Sequence, residues 1–308
     1  MSKQKVVPLK KKKNSPIIYY GVLVLFLTFI GISFLKNLLI QNFNPLDILT
    51  WQVIAEGVEG KGYFFRAEVP VYANNTGKII YTLTWGKVRK GDIILEIKDN
   101  SSQRIIKLTA KASGVFTPGV DGLEFVGPDN IDNVDFKKIA QLYKPVKLAE
   151  EVEKGQPVGK LIDNLEKIIL ALPQNQTAQK FRPGRLYQIK IDGQITVSGE
   201  YLKNLGEYAL FSIAFYPDEI LKERISKVFV KTAEKGGFLV PKSSVKTFNG
   251  QTCIYTLKNE EVVLTPVKII KKFEKDVLIE GETATKDELI GVKYLVRPFL
   301  IRPGDKLY

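Results

Sequence analysis

The hydrophobic pattern of this chain changes once, early, and then keeps one texture to the end. Residues 17–35 read IIYYGVLVLFLTFIGISFL, a run without a charge. At ~1.5 Å rise per residue it would span roughly 28 Å as a helix, close to the hydrocarbon thickness of a bilayer. It is apolar on every face, which argues against a buried soluble helix. After it, short runs rich in Val, Ile, Tyr, Phe and Thr alternate with Gly, Asn, Asp and Pro about every ten residues, the texture of strand, turn, strand. Such runs occupy 78–84, 92–97, 187–191, 194–197, 209–215 and 262–270. Asn249-Gly250 between two of them is a tight-hairpin signal. Helical periodicity is scarce: 131–143 carries enough for a short helix or two turns, and 218–225 is a second short candidate. Residues 37–61 read as a connector, with Asn44-Pro45, Gly57 and Gly60 as breakers.

The pattern also repeats. Val88-Arg89-Lys90-Gly91-Asp92 recurs as Val152-Glu153-Lys154-Gly155-Gln156, each followed by an apolar strand. Upstream of each lies a small-residue and glycine entry, Thr76-Gly77 and Ser113-Gly114. A chain that reverses between strands needs glycine where φ is positive. Gly77, Gly86, Gly91, Asp92, Gly114 and Gly155 are therefore assigned as turn-forming positions.

Charge changes how the anchor reads. The net charge of +13 invites a nucleic-acid partner, but six lysines stand in the first thirteen residues, and Lys36 adds a seventh. The remainder is mixed in sign, an ordinary solvated surface, and no nucleic-acid partner is expected. With Lys10, Lys11, Lys12 and Lys13 before the apolar run and no Lys or Arg over 37–60, the positive-inside bias puts the basic tail (1–16) in the cytoplasm. The chain then crosses the cytoplasmic membrane once, over 17–36, and the rest lies outside. A cleaved signal peptide is the rival; it calls for a shorter apolar region and a small-x-small site, where Lys36-Asn37-Leu38-Leu39-Ile40 stands instead.

Candidate chemistry is sparse. Histidine is absent and Cys253 is the single cysteine, which removes the commonest general base and any internal disulfide. Ser243-Ser244 after Lys242 invites a Ser–Lys pair; solvated strand-end residues are the plainer account. Asp129, Asp132 and Asp135 are spaced to gather a hard cation or simply to lie on a solvated helix face. Gly119, Gly122 and Gly127 lie in a turn-rich loop without the Lys-Ser/Thr ending of a phosphate loop. Trp51 is placed to rest at a membrane interface, and Trp85 is either a partner contact or a core residue. No enzyme activity, metal or cofactor is expected.

The two-fold repeat resembles the biotinyl/lipoyl-type barrel-sandwich hybrid. The carrier version needs a lysine at the hairpin between the halves; Lys111, in Ala110-Lys111-Ala112, is the nearest candidate. A fuller match is the membrane fusion protein family, the periplasmic adaptors of the HlyD and RND-associated type. Residues 69–97 (VPVYANNTGKIIYTLTWGKVRKGDIILEI) resemble the first half of their hybrid domain, 108–116 (LTAKASGVF) the opening of the second and 152–162 its close. Residues 237–245 (GFLVPKSSV), 253–255, 262–270 and 301–307 are similar to the membrane-proximal domain. The resemblance implies a mainly β chain: hybrid domain at 62–169, small β-barrel at 170–236, membrane-proximal domain at 237–308. It implies a non-catalytic adaptor partnering an ABC or RND-type transporter, as a homo-oligomer. One departure stands out. Residues 98–107 join the halves with no room for the long helical hairpin of most adaptors, so docking to an outer-membrane channel is not implied. A membrane-anchored scaffold in cell-envelope or division processes, reusing the same fold, is the alternative.

Overall fold

The computed structural model describes residues 16–174 and 181–307; the basic stretch through Ser15 lies outside them. Among the described residues two compact units appear, one within 55–234 and one formed by 16–54 with 235–307, the divisions falling within strands Trp51–Phe65 and Ile225–Pro241.

In the larger unit the sequence repeat becomes two four-stranded sheets. One runs Glu68–Tyr72, Pro157–Ile162, Gly114–Pro118, Gly86–Val88; the other runs Ile105–Thr109, Ile93–Asp99, Gly77–Thr82, Glu151–Val152. Number the strands of each half one to four. The first sheet is then first-half one, second-half four, second-half two, first-half three. Exchanging the halves gives the second sheet. Each half thus gives two strands to each sheet, and neither can bury its apolar face alone. Ile94, Leu95, Ile97, Phe116, Val158 and Leu161 fill the space between.

The repeated turns match bond for bond. Gly91 N donates to Ala110 O and Gly155 N to Ala73 O, both at 2.9 Å. Arg89 N donates to the Asp92 carboxylate at 2.7 Å, and Glu153 N to the Gln156 amide oxygen at 3.0 Å. Lys90 N reaches Ser113 Oγ and Lys154 N reaches Thr76 Oγ1. Gly91 and Gly155 have φ of 96° and 87°, which side-chain-bearing residues rarely adopt. Gly77 and Gly114 are needed for a different reason: a Cβ there would lie 2.1 Å from Lys98 O and 2.5 Å from Ile162 O. Between the halves the chain makes a β-hairpin with a turn over 100–104, its amides at Ser101 and Ser102 held by Asp99.

The rest of this unit is a closed barrel. Residues 55–65, Ile168–Pro173, Tyr208–Ile213, Ile195–Leu205, Leu186–Ile191 and 225–234 pair in that order, and the last returns to the first. Strict alternation in Leu186–Ile191 turns Tyr187, Ile189 and Ile191 inward. This corrects the reading of 37–61 as a connector, because Gly57 and Gly60 sit inside strand Trp51–Phe65. They are small for packing: a Cβ on Gly57 would lie 2.1 Å from Val230 O.

The 119–150 segment, inserted in the second half, packs on the outside of the barrel. Ile131–Asn133, Phe136–Lys138 and Ile139–Leu142 are single helical turns. Leu123, Val126, Ile131, Phe136 and Ile139 bury against Phe65, Ile169, Ala171 and Leu210. The 218–225 candidate is one 3-10 turn, Asp218–Leu221.

The other unit holds the C-terminal sheet. Leu46–Ile48, Lys293–Leu295, Gln251–Lys258, Glu261–Lys272, Asp276–Gly281 and 238–241 follow in order, with Val245–Phe248 on Gln251–Lys258. Asn249 and Gly250 form the expected two-residue turn, both at positive φ. Helix Pro16–Phe43 belongs to this unit. Its side chains at 16–19, 33, 37, 38, 41 and 42 lie outside those described, and among the described residues no helix is long and apolar enough to cross a membrane. Its middle carries exposed apolar side chains: Val22, Leu23, Val24, Leu25, Phe26, Leu27, Phe29, Ile30 and Ile32. Thr28 returns its hydroxyl to Leu25 O. The end of the helix is docked, with Ile40 buried among Val262, Leu295, Ile301 and Leu307.

Candidate functional site: a buried ionic junction

Hybrid, insertion and barrel meet at six buried charges. Arg66 and Glu68 lie on the link between barrel strand Trp51–Phe65 and hybrid strand Glu68–Tyr72. Asp121 and Glu124 come from the insertion, Lys160 from hybrid strand Pro157–Ile162, and Arg224 from the entry to barrel strand Ile225–Pro241. Arg66 and Arg224 are 1% and 2% exposed, a placement charged side chains tolerate only when paired.

The pairing is complete. Arg224 Nε and Nη2 grip Asp121 at 3.0 Å each, Nη1 donates to Phe64 O at 3.0 Å, and Nη2 also reaches Glu68. Arg66 Nε donates to Glu68 at 2.7 Å and Nη1 to Leu221 O. Lys160 Nζ lies 2.5 Å from Asp121, 3.2 Å from Glu68 and 3.3 Å from Glu124. Three cations therefore meet three carboxylates. Burial pushes the Asp121 carboxyl up, but Arg224 and Lys160 outweigh it and hold the group well below the usual carboxylate range. Burial likewise lowers Arg224, and Glu68 and Asp121 more than restore it. For Arg66 burial prevails and the value falls. Glu68, Asp121 and Glu124 converge as metal ligands would, yet the Lys160 ammonium takes the place of the cation. The arrangement fixes hybrid, insertion and barrel to one another, with every charge paired inside the junction.

Sequence reasoning passed over this junction because its members are far apart in the chain. The one local signal is Lys160, a charge inside the apolar strand Pro157–Ile162.

The residues singled out by sequence are distributed elsewhere. Gly77, Gly86, Gly91, Asp92, Gly114 and Gly155 all fall at strand entries or turns of the hybrid. Trp85 is half-buried beside the barrel core, with the Lys222 ammonium 4.6 Å from its ring centre. Trp51 packs edge-on against Phe238 at 5.2 Å within the C-terminal core rather than at a free surface. Lys111 is exposed at the opening of the second half, not at the 100–104 hairpin tip. Ser243 and Ser244 both donate to Val296 O, while Lys242 Nζ donates to Glu274 O, so no Ser–Lys pair forms. Asp132 pairs with Lys203, Asp135 caps Phe136–Lys138, and Asp129 stands apart; they gather no cation site. Gly119 and Gly122 have positive φ in turns of the insertion. Cys253 is buried, and burial pushes its thiol up.

Residues 68–163 match the family described as RND related, barrel-sandwich hybrid domain. That span is the two-sheet domain, and the resemblance to membrane fusion proteins, the periplasmic adaptors, holds over it. Solved structures similar to this chain include ZneB from Cupriavidus metallidurans (10% identity, 85% of this chain and 95% of that one, TM-score 0.33). MacA from Actinobacillus actinomycetemcomitans is 12% identical over 82% of this chain and 99% of that one, with TM-score 0.37. A putative efflux transporter from Bacteroides eggerthii is 13% identical over 80% and 93%, with TM-score 0.29. No curated protein matches the sequence.

Proposed function

We propose that this chain is a membrane-anchored, non-catalytic adaptor on the outer face of the cytoplasmic membrane, serving an integral transporter of ABC or RND type. The observation that carries the reading is the hybrid domain: an RND-related sandwich with no lysine over the 100–104 tip where a carrier would bear its cofactor. The anchor over 17–36 is part of the proposal. Its support is a helix of 28 residues whose described side chains from Tyr20 to Ile32 are exposed and apolar on all sides, a surface that water disfavours and lipid accepts. The adaptor works by geometry. Its junction holds hybrid and barrel at one angle, so motion imposed on one passes to the other.

The test is crosslinking in native membranes followed by identification of the partner. A multi-span transporter is the expected product. The β-turn at 100–104, standing where a helical arm would project, favours one second reading, an envelope scaffold that reuses the fold. Recovery of only cell-wall or division proteins would replace the transport reading with that one.

A further inference from the structure

The helix ends at Phe43 beside an exposed apolar tip. The rings of Phe43 and Phe299 are 6.1 Å apart. Asn44 locks the two segments together: its Nδ2 donates to Phe299 O at 3.0 Å and to Ile40 O at 2.7 Å, and Phe299 N donates to Asn44 Oδ1 at 2.7 Å. Leu300 follows at φ 52°, with its side chain 56% exposed. Ile301 turns inward to the cluster around Ile40, so the tip stands on a packed base. Arg297 and Arg302 bracket it, exposed, with no ion pair among the described residues.

The helix length sets the height of this tip. Twenty-eight residues at ~1.5 Å each give about 42 Å, the thickness of a bilayer with its headgroups, ~40–45 Å. A helix that crosses therefore brings Phe43, and with it Phe299, to headgroup level. Lys36 falls ~10 Å short of that end, where a long side chain reaches outward to the interface.

We propose that residues 297–302 form a second membrane contact, with Phe299 and Leu300 immersed in the outer interface of the bilayer and Arg297 and Arg302 on lipid phosphates. The proposal rests on the anchor reading. An apolar tip between arginines suits the headgroup region, where apolar and charged groups are accommodated at adjacent depths. Together the helix and the tip hold the C-terminal sheet at two points and so set its tilt on the membrane.

The full chain carrying Cys253→Ser and Leu300→Cys, labelled with an environment-sensitive fluorophore, tests this in vesicles of zwitterionic and anionic phospholipid. Phe299→Cys serves as a second labelled site. Phe248→Cys is the reference: it is exposed and lies at the opposite end of strand Gln251–Lys258 from the Ile40 cluster. The expected result is blue-shifted emission and several-fold stronger quenching by shallow spin-labelled lipid at 299 and 300 than at 248. Vesicle-bound protein whose 299 and 300 labels are quenched by aqueous iodide as readily as 248 overturns the tip while leaving the anchor intact. Protein that fails to float with vesicles overturns both. Shielding at 299 and 300 that is lost when the vesicle-bound protein is diluted into excess lipid assigns the tip to a second copy of the chain and also overturns the proposal.

Discussion

Replacing Arg224 by Met is the sharpest probe of the ionic junction. Arg224 makes two hydrogen bonds to Asp121 at 3.0 Å, one to Phe64 O at 3.0 Å, and a contact to Glu68. Methionine fills much of the space but removes every donor. Two cations, Arg66 and Lys160, then face three buried carboxylates, and the Phe64 carbonyl loses a partner. Removing one member of a buried ion pair costs about 3–5 kcal/mol. For a unit of some 150–250 residues each kcal/mol moves the melting midpoint by about 2–4 °C, so the expected fall is about 6–20 °C. Trp85 reports on this unit and Trp51 on the other, so emission of Trp85 in a Trp51→Phe background isolates the transition. Lys203→Met breaks the exposed Lys203–Asp132 pair and is expected to cost at most about 1 kcal/mol. The pair Asp121→Asn with Arg224→Met restores the charge balance and should be less destabilised than the sum of the single changes. An Arg224→Met midpoint no lower than that of Lys203→Met would refute the claim that the junction holds the unit together.

Acid should act through the same residues. An unfolded Asp121 takes up its proton near pH ~3.9, whereas in the native chain it resists protonation to lower pH. The unfolded state thus binds more protons in that window, and stability should fall as pH drops through ~4 and below; urea midpoints against pH should show a shallower fall in Asp121→Asn. Among the turn glycines, Gly91→Ala meets open space and should cost only about 1–2 kcal/mol for its positive φ. Gly77→Ala, with its Cβ 2.1 Å from Lys98 O, should cost about 3 kcal/mol or more, and equal denaturation midpoints for the two would contradict the packing. Cys253, 3% exposed with a raised thiol pKa, should react with maleimide only at the rate at which its unit opens; prompt labelling of native protein would count against its burial.

The hybrid domain was legible because its information is local. Each turn is a five-residue phrase, and glycine at positive φ or beneath a neighbouring carbonyl leaves a mark in sequence. Asn249-Gly250 is readable for the same reason. The strand Trp51–Phe65 was not, since Gly57 and Gly60 look like breaks until Val230 and Leu172 are seen against them. The junction was hidden more deeply. Its six residues lie between positions 66 and 224, and each alone resembles a surface charge. Only Lys160, between Gly159 and Leu161 in a strand buried along most of its length, breaks its local pattern.

The position of the insertion ties these observations together. In the first half, strands two and three are joined by residues 83–85; at the equivalent point of the second half the chain runs from 119 to 150. The connection between the halves is a tight turn. Length has been added at one quasi-equivalent position and withheld from the other. The added segment folds back, buries five apolar side chains on the barrel wall, and contributes Asp121 and Glu124 to the junction. A projecting arm would extend reach. A segment folded on the barrel instead stiffens the hybrid against it, because bending there would uncover both the Phe136 contact with Phe65 and Tyr208 and the Arg224 grip on Asp121. Those two costs are of different kinds, apolar and ionic, so no single change of pH or salt relieves both.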